Sequence, residues 1–320
     1  MKRLLAIALA AALLLALAGC GKKIPVVAPT REPVTTEDAV ITRSPAKDET
    51  VVSTLQEFIR AVGSDRKLYI DAEILLSREI DWEEYWEEDF DETKELYFPD
   101  YHNPYGGYLT WEEVFDGYEL IIKEVKNLTI RCGPSGSLVT GPRYSFVLNF
   151  QGCEGITLEG LTAGHTEGGT CTGGVLRFAD CKDIQINDCN LYGCGTEGLL
   201  LENVDGLSME GGSIYECTYD IMSVVGGKNL AFRGCTFRDN REFTLINLGN
   251  AEAVSFEDCL FEGNWGDVIF GETWGSEGCE DITVKGCTFQ DNLIDINSMA
   301  IVFEDCTFDF DEAVDFEYAD

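Results

Sequence analysis

The amino-acid sequence predicts an all-β solenoid, in which short strands coil repeatedly around one elongated core. A short phrase recurs between residues 153 and 310. Its anchor falls at Cys189, Gly212, Cys235, Cys259, Cys287 and Cys306, at intervals of 23, 23, 24, 28 and 19 residues. Around each anchor, β-branched and aromatic runs are cut by Gly, Asn and Asp, and no helical period of about 3.6 residues is present. A period of this length predicts that each repeat is one coil.

The order of runs and turns within a coil resembles the right-handed parallel β-helix of the pectin-lyase-like superfamily, over roughly residues 125–310. Its most specific mark is a column three residues after the phrase, occupied by Cys194, Cys217, Asn240, Asn264 and Asn292. Side-chain amides one coil apart, about 4.8 Å, can hydrogen-bond to one another, as in the asparagine ladders of that superfamily. The resemblance implies a right-handed parallel β-helix solenoid over residues 125–320, and it implies little about function.

The first twenty residues predict an export signal that ends in a lipid anchor. An apolar run, residues 4–17, follows a basic start and is too short to span a bilayer. It ends in Leu-Ala-Gly-Cys20, which resembles the bacterial lipobox and implies that residues 1–19 are removed and Cys20 is lipidated. The protein would then be exported and lipid-anchored to the bacterial cell envelope. Gly21 implies the outer membrane if the cell has two. An ordinary secretory peptide that happens to end in Cys is the alternative.

The segment between the leader and the coils predicts a tether and then an N-terminal cap. Residues 20–50 are rich in Pro, Thr, Val and charge, so we interpret them as the lipid anchor and a flexible tether. Residues 51–124 would hold a capping helix, the first strands and an acidic, aromatic segment. The helix is predicted over 53–63, with Ser53 and Gln56 as a capping box. Its apolar stripe is Leu55, Phe58, Ile59 and Val62, which would cover the end of the first coil.

The acidic, aromatic segment departs from the repeat. Between Glu79 and Asp100 it has eleven carboxylates and one Lys, interleaved with aromatic residues. Exposed aromatic rings beside carboxylates are typical of sugar-binding sites, so Trp82 and Trp86 are candidate carbohydrate-binding residues. Trp274, in an insertion into a later coil, is a third candidate. A helix or flap that packs its aromatic residues on the solenoid is the alternative.

The composition limits the class of partner. The formal net charge is −35, which argues against nucleic acid, because that affinity comes from Lys and Arg on phosphates. The charge also opposes anionic polysaccharides unless a divalent cation forms a bridge. Neutral glycans, cationic partners and calcium-mediated contacts fit better.

The cysteine pattern predicts buried thiols rather than a disulfide framework. Thirteen cysteines in an exported chain would ordinarily indicate disulfides, yet five of them occupy the anchor column. Neighbours in such a column have parallel Cβ vectors, which is a poor geometry for a bridge. Cys153 with Cys181, and Cys194 with Cys217, are the candidate exceptions. A zinc site is not expected, because there are two histidines and no Cys-x-x-Cys pair.

Candidate chemistry lies along one edge of the coils. A Gly-rich outgrowth, residues 164–174, carries His165 and Glu167. Carboxylates recur eight residues after the anchors, at Glu197, Asp220, Asp267 and Asp295. That position has the parity of inward-facing residues, so we expect these carboxylates to lie in turns rather than in strands.

Carboxylates one coil apart repel each other unless they face water, share a proton or bind a cation. Glu197 and Asp220, with His165, Glu167 and a nearby Arg177, are candidate catalytic residues for glycoside hydrolysis or calcium-assisted elimination. Glu197 and Asp220 are also candidate calcium ligands. A solvated charged face is the alternative.

The catalytic signatures of the superfamily are not found. Polygalacturonase-like members carry Asn-Thr-Asp, Asp-Asp, Gly-His-Gly and Arg-Ile-Lys, and this sequence has only Gly164-His165-Thr166. An Arg-x-Pro-x-x-Arg motif of the pectate-lyase type is also absent. We therefore predict a cell-envelope lipoprotein whose β-helix binds carbohydrate or a surface partner. A polysaccharide lyase or glycoside hydrolase acting at the solenoid edge, and a structural surface spacer, are the alternatives.

Overall fold

A computed structural model of the chain describes residues 44–77, 107–166, 173–193, 195–273, 278–297, 299 and 301–309. Over these residues the chain forms a right-handed parallel β-helix, which confirms the predicted fold class. The predictions for residues 1–19, Cys20, Trp82, Trp86, Glu167, Cys194 and Trp274 fall outside the described residues. Within them, no helix has the length and hydropathy needed to cross a membrane.

Each coil places one strand in each of three rows. The first row holds β5 (Gly117–Lys123), β8 (Leu148–Gln151), β11 (Leu176–Ala179), β20 (Trp265–Glu272) and β23 (Leu293–Asn297). The second holds β1 (Thr50–Val52), β2 (Lys67–Ile70), β6 (Lys126–Cys132), β9 (Glu154–Glu159), β12 (Lys182–Asn187), β21 (Glu280–Lys285) and β24 (Val302–Glu304). The third holds β3 (Glu73–Leu75), β7 (Ser137–Thr140), β10 (Thr162–His165), β13 (Asn190–Tyr192), β15 (Ser213–Tyr215), β17 (Thr236–Arg238), β19 (Leu260–Glu262), β22 (Thr288–Gln290) and β25 (Thr307–Phe308).

Three long strands join the first and second rows into one 16-stranded sheet. They are β14 (Glu197–Glu210), β16 (Asp220–Arg233) and β18 (Thr244–Glu257). The remaining strand, β4 (Leu109–Val114), pairs antiparallel with β5 at the edge of the first row. The strands predicted near residues 67 and 74 are β2 and β3, which pair in parallel with β6 and β7. The parallel ladders therefore extend N-terminal of residue 125.

The recurring Asn, Asp and Gly residues turn the corners between rows. At the corner after the first row, successive coils place Gly152, Asp180, Asn203, Gly226 and Asn250 in the left-handed region, with φ between 52° and 72°. Asn, Asp and Gly adopt this backbone conformation at lower cost than other residues. The positions of these residues in the sequence therefore mark the corners of the coils.

The inward side chains stack on their counterparts in the next coil. Phe232 and Phe256 have ring centroids 4.8 Å apart, and Phe261 and Phe289 have centroids 4.7 Å apart. All four rings are buried. Because the column repeats at the strand spacing, each ring covers the next, and burial of apolar area stabilises the whole stack.

The predicted asparagine ladder is present. Asn264 accepts from Asn240 Nδ2 at 3.1 Å and donates to Asn292 Oδ1 at 2.9 Å. Its Nδ2 also donates to the Phe237 carbonyl at 2.9 Å. The ladder ends on the backbone N–H of Cys217, which donates to Asn240 at 3.1 Å. Asn240 and Asn264 are fully buried, so each amide must find its partners within the protein.

Asn264→Leu should destabilise the protein by about 2–4 kcal/mol, because it removes the hydrogen bonds of the Asn264 side chain with the Phe237 carbonyl, Asn240 and Asn292, and the buried Asn240 N–H loses its acceptor. Urea unfolding of the variant and the wild type measures the difference. Gln185→Leu is the matched control, since Gln185 is exposed on β12 and should change stability by no more than about 0.5 kcal/mol. Equal stability of both variants would contradict a structural role for the ladder.

Every cysteine that the structure describes is a free thiol, and the anchor column is stacked as predicted. The Sγ–H groups of Cys235 and Cys259 donate to carbonyls of the preceding coil, at Met209 and Phe232 respectively, each at 3.4 Å. The expected exception, Cys153 with Cys181, is wrong: the Cys153 N–H donates to Cys181 Sγ at 3.4 Å, and no bridge forms. Parallel strands point both side chains the same way, which disfavours a disulfide.

The N-cap of the N-terminal helix, α1 (Leu55–Ala61), lies one residue later than predicted. Thr54, rather than Ser53, is the N-cap, and its hydroxyl accepts from the Glu57 N–H at 3.2 Å. The Glu57 carboxylate in turn accepts from the Ser53 N–H at 2.8 Å, which completes the reciprocal box. Phe58 and Ile59 on the predicted stripe are buried, and Phe58 joins the core cluster.

Candidate functional site

The edge carboxylates lie on the outer face of the first row, at the start of their strands. Glu197 is the first residue of β14 and Asp220 the first residue of β16, so the expectation that they lie in turns is wrong. In each strand the carboxylate is followed by two consecutive inward residues. Ile221 and Met222 are both fully buried, and a Cβ on Gly198 would lie 2.2 Å from Ile214 Cγ2 in the core. Because two successive residues point inward, the carboxylate before them points outward, although strict alternation along the strand would place it inward.

Glu197 and Asp220 form a register pair on adjacent strands. Ser223 Oγ and Asn247 Nδ2 each donate to Asp220 Oδ2 at 2.9 Å. Burial, and then the charge of Asp220, raise the pKa of Glu197 to about 7. Burial also raises the pKa of Asp220 to about 6, against the two hydrogen bonds that favour its carboxylate. The pair therefore contains one stronger and one weaker acid.

Further polar groups lie on the outer face of the first row, on both sides of Leu200, which occupies the register position between Arg177 and Ser223. Arg177 Nε donates to Glu202 Oε2 at 2.6 Å, and the Arg177 position pairs in register with Asn149. Asn149 Nδ2 donates to Glu119 Oε1. We call this set the polar band; its members are Glu119, Asn149, Arg177, Glu197, Glu202, Asp220, Ser223 and Asn247.

The polar band is accessible at only one end. Asn149 is fully buried and Glu119 is 7% exposed, and burial raises the pKa of Glu119. Arg177, Glu197 and Asp220 are partly exposed. A ligand can therefore reach the band from Arg177 onward.

His165 lies at the end of β10 in the third row. It is buried, and its Nε2–H donates to the Ser145 carbonyl at 2.9 Å. Ser145 Oγ lies 3.1 Å from Thr140 Oγ1, so the three residues form a buried polar cluster. Burial lowers the pKa of His165, which favours the neutral ring. None of its described contacts is with Glu197 or Asp220.

The carboxylate column does not continue beyond the pair as expected. Thr244 pairs with Val268, and Val268 pairs with Asp295. Met222 pairs with Ile246, 24 residues later, whereas the anchors Gly212 and Cys235 are 23 residues apart. The ladder position therefore passes through Thr244 and Val268, and Asp267 lies one residue before it and is exposed. Of the predicted catalytic residues that the structure describes, Arg177, Glu197 and Asp220 lie on the first row, and His165 lies at the end of a third-row strand with no described contact to the pair.

Aromatic residues beside the pair were missed in the sequence. Tyr219, which precedes Asp220, stacks on Phe243 with ring centroids 5.4 Å apart. Phe243 is 55% exposed and Trp265 is 54% exposed, and the Glu242 N–H donates to the Trp265 carbonyl at 2.9 Å. The available signal was Tyr219 directly before the edge position of one coil and Phe243 at the edge position of the next. Ser223 and Asn247 gave no signal, because polar residues are ordinary on an outer face.

The fit of a calcium ion to this pair is partial. Calcium takes about 6–8 oxygen ligands, whereas Glu197 and Asp220 supply two carboxylates and one oxygen of Asp220 already accepts two hydrogen bonds. In the part of the chain that the structure describes, no three His, Cys, Asp or Glu side chains are grouped to hold a metal ion.

Comparison with known proteins supports the fold. Residues 173–313 match the family model described as right handed beta helix region. The chain is similar to the solved pectate lyase of Paenibacillus sp. 0602, with 7% identity, a TM-score of 0.50, and coverage of 75% of this chain and 70% of that chain. It is also similar to the alginate lyase of Paenibacillus sp. str. FPU-7, with 8% identity, a TM-score of 0.37, and coverage of 82% and 100%. No curated protein matches the chain. At these identities the likeness extends to the fold alone.

Proposed function

We propose that this β-helix binds a polysaccharide on the outer face of its first row and hydrolyses it with Glu197 and Asp220. The observation that carries the proposal is the register pair of carboxylates whose pKa values are raised to about 7 and about 6. Glycoside hydrolysis needs one carboxylic acid and one carboxylate, on either side of the scissile bond. Between pH 6 and pH 7 this pair supplies both.

Glu197 is the proton donor and Asp220 is the carboxylate. Glu197 gives its proton to the leaving glycosidic oxygen while Asp220, oriented by Ser223 and Asn247, attacks the anomeric carbon. Adjacent strands lie about 4.8 Å apart, which is closer to the separation of retaining than of inverting enzymes. A glycosyl ester on Asp220 would then be hydrolysed by water that Glu197 deprotonates, with retention of configuration.

Product analysis tests the proposal. Full-length protein in detergent is incubated at a pH between 6 and 7 with neutral glycans and with polyuronates, each with and without calcium. We expect new reducing ends, retained anomeric configuration and no unsaturated sugar. Calcium-dependent formation of an unsaturated uronate would instead support the elimination mechanism. Binding without cleavage would indicate a carbohydrate-binding module. The absence of both binding and cleavage would favour a surface spacer.

The location of this activity is proposed from the leader. Leu-Ala-Gly-Cys20 supports lipidation of Cys20, which would hold the β-helix at the bacterial cell envelope, on the outer membrane in a cell with two. Labelled fatty acid should be incorporated into the wild type and not into Cys20→Ser, which should be released from the membrane fraction. A variant that stays membrane-bound and labelled would contradict the lipid anchor.

A further inference from the structure

Four cysteines in successive coils form an unbroken row of thiols inside the solenoid, at the corner between the second and third rows. We define the thiol column as Cys235, Cys259, Cys287 and Cys306. Each of them directly precedes a third-row strand, namely β17, β19, β22 or β25, and these four strands are neighbours in the sheet. Each thiol of the column therefore lies beside the thiol of the next coil.

The sulfur atoms of the thiol column are evenly spaced. Every Sγ lies 3.4 or 3.5 Å from two carbonyl oxygens, one two residues before it in the chain and one in the preceding coil. Because these contacts repeat in each coil, the sulfur atoms are displaced from one another by the same translation as the strands, which is about 4.8 Å.

This spacing fits a metal ion between two sulfur atoms and does not fit a disulfide. The sulfur atoms of a disulfide lie about 2.0 Å apart, which is less than half of the strand spacing. A metal–thiolate bond is about 2.3 Å long, so an ion with two sulfur ligands in line spans about 4.6 Å. Each gap in the column can therefore hold one ion with a sulfur ligand on either side.

The arrangement of the ligands selects the kind of ion. In the part of the chain that the structure describes, no three His, Cys, Asp or Glu side chains are grouped to hold a metal ion, so the tetrahedral ligand set of zinc is not provided. Thiolates prefer soft ions, of which Cu(I) accepts two ligands in line. One monovalent ion replaces one thiol proton, so the buried column acquires no net charge.

The thiol column is accessible at its C-terminal end. Cys306 is partly exposed, whereas Cys235, Cys259 and Cys287 are each at most 1% exposed. Hydrogen bonding to the Cys235 thiol raises the pKa of Cys259 to about 12, so the column is protonated at neutral pH and an entering ion displaces a proton.

We infer that the thiol column binds soft monovalent cations of the Cu(I) class, each held between the sulfur atoms of adjacent coils, and that it is filled from Cys306. Binding releases one proton for each ion, so it should strengthen as pH rises. No glycan takes part, and the site is independent of Glu197 and Asp220.

Metal titration of reduced full-length protein in detergent, without oxygen, tests the inference. Cu(I) is added in competition with bicinchoninate, and Ag(I) and zinc are added in parallel. We expect Cu(I) and Ag(I) to bind, with two sulfur neighbours per ion at about 2.3 Å in X-ray absorption spectra. Cys259→Ser combined with Cys306→Ser removes one member of every adjacent pair and should lose the ions of the column. Cys189→Ser is the control, because Gly212 separates Cys189 from Cys235 and leaves it without an adjacent thiol in the column.

Loss of Cu(I) from the double variant, with uptake unchanged in Cys189→Ser, supports the inference. Equal uptake by the double variant and the wild type overturns it, as do three or four sulfur neighbours per ion or tighter binding of zinc than of Cu(I). Circular dichroism reports whether the double variant folds. If it does not fold, Cys306→Ser alone replaces it, since Cys306 is at the partly exposed end, and Cu(I) uptake equal to that of the wild type would then overturn the inference.

Discussion

Glu197→Gln should lower the rate of glycan cleavage by at least about 100-fold between pH 6 and pH 7, which is the usual contribution of a general acid. Gln is isosteric and cannot donate a proton to the leaving oxygen, so KM should change little while kcat falls. Reducing-end assays on full-length protein measure both constants. Glu210→Gln is the matched control, because Glu210 is the last residue of the same strand and is exposed. Equal rates in wild type and Glu197→Gln would contradict the assignment of the acid.

The same site should give a bell-shaped pH profile. The rising limb near pH 6 reports ionisation of the carboxylate, and the falling limb near pH 7 reports loss of the acid's proton. These apparent values belong to the interacting pair rather than to either residue alone. Asp220→Asn should abolish most activity. The falling limb of any residual activity should shift to lower pH, because the negative charge that helps to raise the pKa of Glu197 has been removed.

Phe261→Asp should destabilise the protein by more than about 4 kcal/mol and should unfold several coils together. Phe261 is fully buried, and its ring stacks on Phe289 at 4.7 Å and on Phe237 at 5.0 Å. The substitution leaves a cavity and places an unpaired carboxylate between layers, and both effects are among the largest known for single mutations. Urea unfolding followed by circular dichroism measures the loss.

Thr283→Asp provides the control for that substitution. Thr283 is exposed on β21, so the same new carboxylate should change stability by no more than about 0.5 kcal/mol. If Phe261→Asp were equally neutral, the column of residues at this position would face solvent and the register of the third row would be wrong.

The fold was predictable because its determinants recur in the sequence at the coil spacing. Asn, Asp and Gly mark the left-handed corners, Phe and Cys mark the inward columns, and Asn264 lies in the middle of a ladder visible as three asparagines. The helix cap was misplaced because Ser53 with Gln56 and Thr54 with Glu57 have the same spacing. Only the reach of the Glu57 carboxylate to the Ser53 N–H decides between them.

The candidate site was predictable in part. The pairing of Glu197 with Asp220 followed from the spacing alone, whereas their outward direction depends on two consecutive inward residues that alternation cannot reveal. The displacement of Asp267 from the column arises because β16 pairs with β18 at an offset of 24 residues, one more than the spacing of the anchors Gly212 and Cys235. The sequence predicted that His165 lies near Glu197. Its strand belongs to the third row, and its ring donates a hydrogen bond to the Ser145 carbonyl.

The pH dependence of stability tests the central claim, that Glu197 keeps its proton in the folded protein near neutrality. The pKa of this group is about 7 in the folded chain and about 4.5 in an unfolded one, so unfolding releases a proton between these values. Wild-type stability should fall as pH rises from about 4.5 to about 7, by on the order of 2 kcal/mol from this group.

The measurement is the unfolding free energy of wild type and Glu197→Gln, by urea, across that range and one pH unit to either side. Gln does not titrate, so the variant should gain stability relative to the wild type as pH rises through the window, and the difference should level off above pH 7. A difference that stays constant with pH would show that Glu197 ionises as an ordinary surface carboxylate, and it would contradict the proposed acid.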